Sequence, residues 1–147
     1  MKLIRKKLKY SIGNKGGILM VNVTMDQIIA FRNAGDIFAD YKLPLKVAYK
    51  LNKLKKAIEV EGEFYGSKFQ EIVDTYAKKD ENGQVVFSDD GNQIMIQDGK
   101  VEECNQALED LQTLTVEIDN CNLTIDDFGD DIQCTPEDLE ALMPFLN

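Results

Sequence analysis

Four aspartates cluster in the segment TIDDFGDD, residues 124–131, where they could serve as ligands for a hard cation. Carboxylate oxygens grouped around a glycine-containing turn are the donors that calcium prefers. The segment lacks the D-x-[DN]-x-[DN]-G order and the terminal glutamate of a calcium loop, and DENGQVVFSDDG, residues 80–91, lacks them too. We therefore predict a solvated loop without a bound metal or other cofactor. The side chains that remain candidate metal ligands are Asp126, Asp127, Asp130 and Asp131.

Nucleophilic chemistry has little support, because the chain contains no histidine and its cysteines lie far apart in sequence. Cys104, Cys121 and Cys134 are separated by 17 and 13 residues without a CxxC pair, which fits neither a zinc site nor a disulfide framework. Cys104 falls on the apolar side of a predicted helix, where a small buried hydrophobe is its ordinary role. We predict no catalytic residues and no enzymatic activity. A small metal-dependent enzyme is the alternative from another functional class.

The lysines concentrate in KLPLKVAYKLNKLKK, residues 42–56. Such a basic face could contact a phosphate or an acidic partner. The alternative, which a charge run more commonly represents, is a solvated helix face whose lysine stems cover apolar surface and whose charges offset an acidic helix. The candidate partner contacts are Lys42, Lys46, Lys50 and Lys53.

The charge of the chain is unevenly distributed. Its 17 lysines and arginines face 26 aspartates and glutamates, a net charge of −9, but the leader Met1–Leu19 holds six of the cations and no acid. Residues 20–147 therefore carry eleven cations against 26 acids, a net charge of −15. An acidic body of this kind repels phosphates, so we predict no direct nucleic acid binding and a protein partner instead. Apolar residues make up 44% of the chain, and no run approaches the roughly 18 that a membrane helix needs.

The first half of the body has the patterns of two helices. Thr24 with Gln27 predicts a capping box at the start of a helix over Met25–Ala39, with Gly35 as a point where it could end early. A long helix is predicted from Pro44 to about Lys79, because apolar residues recur there at three- and four-residue spacing. A kink or break near EGEFYG, residues 61–66, is the alternative, since this segment contains two glycines.

The second half mixes strands and helices. Turn dipeptides flank β-prone runs at Val85–Phe87 and Ile94–Ile96, which predicts a small β-hairpin, and Val101 begins an acidic helix that returns antiparallel to the long one. Period-two segments predict short strands at Thr115–Asp119 and Asn122–Ile125, with a third at Asp131–Cys134. Thr135 and Pro136 predict the cap and first turn of a last helix that ends at Pro144, with one apolar face formed by Leu139, Leu142 and Met143. The fold class is therefore α+β, mainly α: an antiparallel long-helix hairpin with a β-hairpin insertion, short C-terminal strands and a terminal helix.

Two segments resemble a family of small proteins from tailed phages and prophages that is catalogued as a domain of unknown function. They are the LPxKxAYKLxKxxK pattern at residues 43–56 and the DLxALxPFL pattern at residues 138–146. The resemblance covers approximately residues 21–147. It implies a phage-encoded protein of the host bacterial cytoplasm or the virion, and it supplies no catalytic or ligand residues.

The segment KGGILMVN, residues 15–22, marks the border between the basic leader and the acidic body. Lys15-Gly16-Gly17 can be encoded by codons that contain AGGAGG, a ribosome-binding sequence, at a normal distance before the codon of Met20. We therefore interpret residues 1–19 as a leader created by an incorrectly assigned start, and residues 20–147 as a single domain. The alternative is a basic arm that holds a partner.

Together these observations predict a small acidic phage protein that acts by protein–protein interaction, in virion assembly or on a host target. The alternative function is an inhibitor of host defence that mimics nucleic acid through its carboxylates. The sequence leaves homo-oligomer formation open.

Overall fold

A computed structural model describes residues 20–147. The leader, residues 1–19, lies outside the described residues, and Met20, the proposed start, is the first residue described. The described chain is mainly α with one small antiparallel sheet, as the sequence predicted. Its elements are β1 (Met20–Thr24), α1 (Met25–Ala34), α2 (Leu45–Tyr76), α3 (Val101–Gln112), β2 (Thr115–Asp119), a 3₁₀ turn (Ile125–Phe128), α4 (Pro136–Leu142) and a last 3₁₀ turn (Met143–Phe145).

The described residues fall into two compact units. The first comprises the residues up to Glu63 together with Leu114–Asn147, and the second is Phe64–Thr113. The division between Glu63 and Phe64 lies inside α2. The sequence did not predict this division.

The sheet consists of two antiparallel strands from opposite ends of the first unit. Its register places Val23 opposite Val116 and Val21 opposite Ile118, and three of these four side chains are buried. The sequence predicted β2 correctly from its alternating valine and isoleucine. It missed β1, although MVNVT shows the same period-two pattern of β-branched residues.

Helix α1 begins with the predicted capping box. The backbone N–H of Gln27 donates to Thr24 Oγ1 at 3.3 Å, and Gln27 Oε1 accepts from the N–H of Thr24 at 2.9 Å. The helix ends at Ala34 rather than Ala39, because Gly35 takes a left-handed φ of 78° and caps the C-terminus. Phe38, which follows in a turn, is buried and packs on Phe128 with ring centroids 4.8 Å apart.

Helix α2 runs without interruption from Leu45 to Tyr76, so the alternative of a break at residues 61–66 is wrong. Its first half buries Val47, Leu51, Leu54 and Ile58. Gly62 has a packing role: a Cβ placed there would lie 2.5 Å from Cδ and Nη1 of Arg32, whose side chain crosses the helix at this point. The glycine therefore permits a close approach.

The second unit contains the predicted β-hairpin as isolated antiparallel bridges. Phe87 pairs with Ile94 across the turn at residues 88–93, and two further bridges, Lys79–Val85 and Ala77–Ile96, add a third arm. Helix α3 belongs to the same unit and begins at Val101 as predicted. Cys104 and Leu111 are buried, whereas Val101 is half exposed.

The C-terminal segment contains one strand rather than three. The predicted strand at Asn122–Ile125 is wrong, because Cys121 and Asn122 both have left-handed φ angles, 55° and 58°, and turn the chain. The segment Asp131–Cys134 also forms no strand. Helix α4 starts as predicted, with Thr135 Oγ1 accepting from the N–H of Asp138 at 3.1 Å, and packs against α1.

The last residues complete the core of the first unit. The helical segment does not end at Pro144, because a 3₁₀ turn follows over Met143–Phe145. This turn buries Phe145 completely, and its ring packs edge to face with Phe31 at 5.2 Å between centroids. Met143 is about half exposed and lies outside the apolar face predicted for it. Asn120 is the buried polar side chain of this core; its Nδ2 donates to the carbonyl of Phe145 at 2.9 Å.

Candidate functional site

The start of α2 is the basic region of an otherwise acidic body. Six of the eleven cations in residues 20–147 occur between residues 41 and 58, and no acid occurs in that range. The remaining five cations share the rest of the body with all 26 acids. Electrostatic attraction for an acidic partner is therefore concentrated on this part of α2.

Apolar side chains accompany these lysines on the exposed side of the helix. At 100° per residue, five side chains fall within a sector of about 80°, nearly opposite the buried face. Leu45, Tyr49 and Val60 in this sector are 86%, 61% and 65% exposed, and Lys53 and Lys56 lie between them. We call this set, Leu45, Tyr49, Lys53, Lys56 and Val60, the outer face of α2.

The sequence contains a signal for the outer face. Leu45 and Tyr49 are four residues apart and offset from the buried stripe, so they are a second apolar set on one helix. Periodicity alone assigns both sets to a helix without telling which one is covered. The structure decides this, because it buries the opposite side and leaves the outer face exposed.

The candidate lysines differ in their partners. Lys50 is engaged: its Nζ donates to Asp127 Oδ2 at 3.2 Å and to the carbonyl of Asn122 at 3.3 Å. Lys53 lies over the ring of Tyr49, 5.7 Å from its centroid.

The other lysines of this segment also differ in whether they form an ion pair. Lys55 forms an ion pair with Asp36. Within residues 20–147, Lys42, Lys46 and Lys56 form no ion pair. Of the predicted contact residues, Lys42, Lys46 and Lys53 are thus available to a partner, and Lys50 has a structural contact.

A shallow groove adjoins the outer face at its N-terminal end. It has a volume of about 520 Å³ and is lined by Leu45, Lys46, Tyr49, Lys50 and Cys121, with almost entirely apolar surface. A groove of this kind accepts an apolar side chain while the lysine ammonium groups at its edge attract a carboxylate.

The wall of the groove at Cys121 is a tight left-handed turn. The N–H of Leu123 donates to the carbonyl of Asn120 at 3.0 Å, and Cys121 and Asn122 occupy the two central positions with positive φ. Left-handed backbone is unfavourable for a cysteine, so the surrounding contacts must hold the turn. The contact from Lys50 to the carbonyl of Asn122 is one of them.

The candidate metal ligands do not converge. Among the described residues, no group of three or more cysteine, aspartate or glutamate side chains is arranged to hold a metal ion. Asp127 Oδ2 accepts from the N–H of Thr124 at 2.9 Å as well as from Lys50, and these interactions lower the pKa of Asp127. Its carboxylate caps the 3₁₀ turn, whereas Asp126, Asp130 and Asp131 are exposed.

The three cysteines lie in different surroundings. Cys104 is buried in the second unit, and Cys134 is exposed. Burial and the charge of Asp119 raise the pKa of the Cys121 thiol, which is the opposite of what a nucleophile requires.

Two further observations bear on the protein's relationships and setting. None of the helices in the described part of the chain combines the length and the apolar character needed to cross a bilayer. Comparison with protein-family models, with curated proteins and with solved structures found no match in any of the three.

Proposed function

We propose that this chain is a binding protein that acts through protein–protein contact at the start of α2, without catalysis. The observation that supports this proposal is the presence of exposed apolar side chains and unpaired lysines on the same helix surface. Leu45 and Tyr49 lie beside Lys46 and Lys53, and the apolar groove lies next to them. Interfaces combine such apolar anchors with a charged border.

The alternative of a merely solvated lysine face accounts less well for the apolar residues. Lysine stems can cover buried hydrophobic surface, but Leu45 is 86% exposed and Val60 is 65% exposed, so their surface is not covered. Single exposed apolar residues are ordinary, whereas several on one sector of one helix favour an interaction surface. The charge of this sector favours an acidic partner.

The resemblance to small tailed-phage proteins supports a phage setting. In that setting the partner is a virion component or a protein of the bacterial host, and the chain acts in the host cytoplasm or in the virion. Both roles use the same surface, so one experiment addresses both.

The test is affinity capture from lysates of bacteria before and after phage infection. Wild-type protein should retain a partner that the double variant Lys46→Glu/Lys53→Glu fails to retain. A matched control, Lys78→Glu/Lys100→Glu, changes the net charge equally at two partly exposed ion pairs of the second unit and should retain the partner. An identical set of captured proteins for all three would contradict the proposal.

A third variant distinguishes the proposed function from the alternative function, mimicry of nucleic acid through carboxylates. Helix α3 exposes Glu102, Glu103, Glu109 and Asp110, and a mimic would bind through acids of this kind. Replacing Glu102, Glu103 and Glu109 with lysine should leave our proposed binding intact. Loss of binding in that variant alone would favour mimicry.

A further inference from the structure

The outer face of α2 also specifies the kind of element that can cover it. We infer that its occupant is an amphipathic α-helix of the partner protein, with acidic residues at its centre and bulky apolar residues towards both ends. This inference rests on the proposed function and names the partner segment for the same site.

The shape of the outer face is a straight, narrow strip. From Leu45 to Val60 it extends about 22 Å along the helix, at 1.5 Å per residue. Apolar side chains occupy both ends, Leu45 and Tyr49 at one and Val60 at the other, and Lys53 and Lys56 occupy the middle. A complementary element therefore needs apolar contacts at its ends and carboxylates between them.

The backbone chemistry of the strip favours a helix over an extended peptide. An extended peptide gains much of its affinity from main-chain hydrogen bonds to a sheet edge. The interior of α2 offers none, because its backbone groups are bonded within the helix. A peptide lying extended on this surface would bury unpaired amide groups, whereas a helix satisfies its own.

Two occupants from the chain itself fit the charges poorly. In an antiparallel pair of α2 helices that placed Leu45 of one copy opposite Val60 of the other, the two copies of Lys53 would lie beside each other, and these like charges repel. The leader at residues 1–19 carries six cations and no acid, so it would add positive charge to a positive surface. Charge complementarity therefore points to a segment of another protein.

The probe is a synthetic helical peptide of about 18 residues. It carries leucine, leucine, glutamate, glutamate and leucine at positions i, i+4, i+8, i+11 and i+15, with alanine and glutamine elsewhere; these offsets copy the order of the outer face. A second peptide has the same composition with the five residues dispersed around the helix. A third has proline at its centre, which breaks the helix.

Binding of each peptide to the full chain is measured by fluorescence anisotropy. The amphipathic peptide should bind at least about tenfold more tightly than either control peptide. Tyr49→Ala and Lys53→Glu/Lys56→Glu should each weaken it by about tenfold, and Lys78→Glu/Lys100→Glu should not. All substituted residues are largely exposed in the structure except Lys78, which is half-buried, and far-ultraviolet circular dichroism checks that each variant keeps its helices.

Three results would overturn the inference. The first is equal binding of the amphipathic and dispersed peptides, and the second is equal binding of the proline peptide, which would show an extended occupant. The third is a wild-type dimer in sedimentation velocity that Tyr49→Ala dissociates, which would make a second copy the occupant. If lysate capture still depends on Lys46 and Lys53 in any of these cases, the proposed function stands while the helical partner is rejected.

Discussion

Alanine at Gly62 should stabilise the protein less than alanine at Gly66, and the difference measures how firmly the Arg32 side chain is held across α2. Both glycines lie in the interior of the same helix. A Cβ at Gly62 would lie 2.5 Å from Arg32 Cδ and Nη1 and 2.7 Å from Nε, whereas a Cβ at Gly66 would meet nothing within 4 Å. Only the change at Gly62 therefore has to displace a neighbour.

The expected magnitudes follow from two contributions. Replacing a helical glycine with alanine gains about 1 kcal/mol at either position. At Gly62 the arginine must also move, which weakens its ion pair with Glu59, now 3.0 Å long. Both partners of this pair are partly exposed, so the pair is worth about 0.2–1 kcal/mol, and the displaced arginine stem loses some packing as well. We expect a gain of about 1 kcal/mol for Gly66→Ala and of about 0–0.5 kcal/mol for Gly62→Ala.

The assay is urea unfolding followed by far-ultraviolet circular dichroism, in a double-mutant cycle with Arg32→Ala. In the Arg32→Ala background the obstacle is absent, so Gly62→Ala should regain the full stabilisation of Gly66→Ala. Equal gains at both glycines in the wild-type background would show that Arg32 is not held over Gly62. A loss of stability for Gly66→Ala would refute the uninterrupted course of α2.

Three further predictions concern the first unit. Hydrogen bonds from the N–H of Thr124 and then from Lys50 lower the pKa of Asp127, so its contribution to stability is present above the ordinary pKa of 3.8 and is lost as pH falls through the lower folded pKa. Asp127→Asn should therefore cost about 0.5–1 kcal/mol of unfolding free energy at neutral pH. The urea midpoints of the variant and the wild type should converge below pH 4. Asn120→Ala removes the donor to the buried carbonyl of Phe145, and we expect the unfolding free energy to fall by about 1–3 kcal/mol in the same assay. A smaller loss would show that this carbonyl finds another partner. Cys121→Gly relieves a left-handed φ of 55° and should raise the unfolding free energy by about 0.5–1 kcal/mol, whereas a loss would show that the cysteine side chain stabilises the turn.

Local signals in the sequence predicted the elements whose determinants are local. The capping box of Thr24 and Gln27 and the cap at Thr135 depend on residues three positions apart, and both are present in the structure. The ends of the helices and strands were harder to predict from the sequence. Helix α1 ends at Ala34, five residues before the predicted end at Ala39. A glycine such as Gly35 costs about 1 kcal/mol inside a helix, and packing of neighbouring residues decides whether it is tolerated.

Features that depend on distant residues were not predictable in the same way. Strand β1 has its partner about ninety residues later, so its short period-two pattern does not show which strand it pairs with. The role of Lys50 depends on Asp127, 77 residues away, so the sequence could not separate this structural lysine from the available ones. The false strand at Asn122–Ile125 did carry a warning, since the asparagines at residues 120 and 122 favour turns.

The pairing of β1 with β2 has a consequence for the order in which the chain can fold during synthesis. Thr24 and Thr115 are opposite each other in the sheet, so the ribosome adds about ninety residues between them, which takes roughly 5–20 seconds at bacterial and eukaryotic rates. The second unit, Phe64–Thr113, is continuous in sequence, so all of its residues have been synthesised before β2 is added. The first unit cannot close until its C-terminal part has emerged. Until then the edge of β1 is exposed to other nascent chains, and the unit that carries the outer face of α2 is the last to mature.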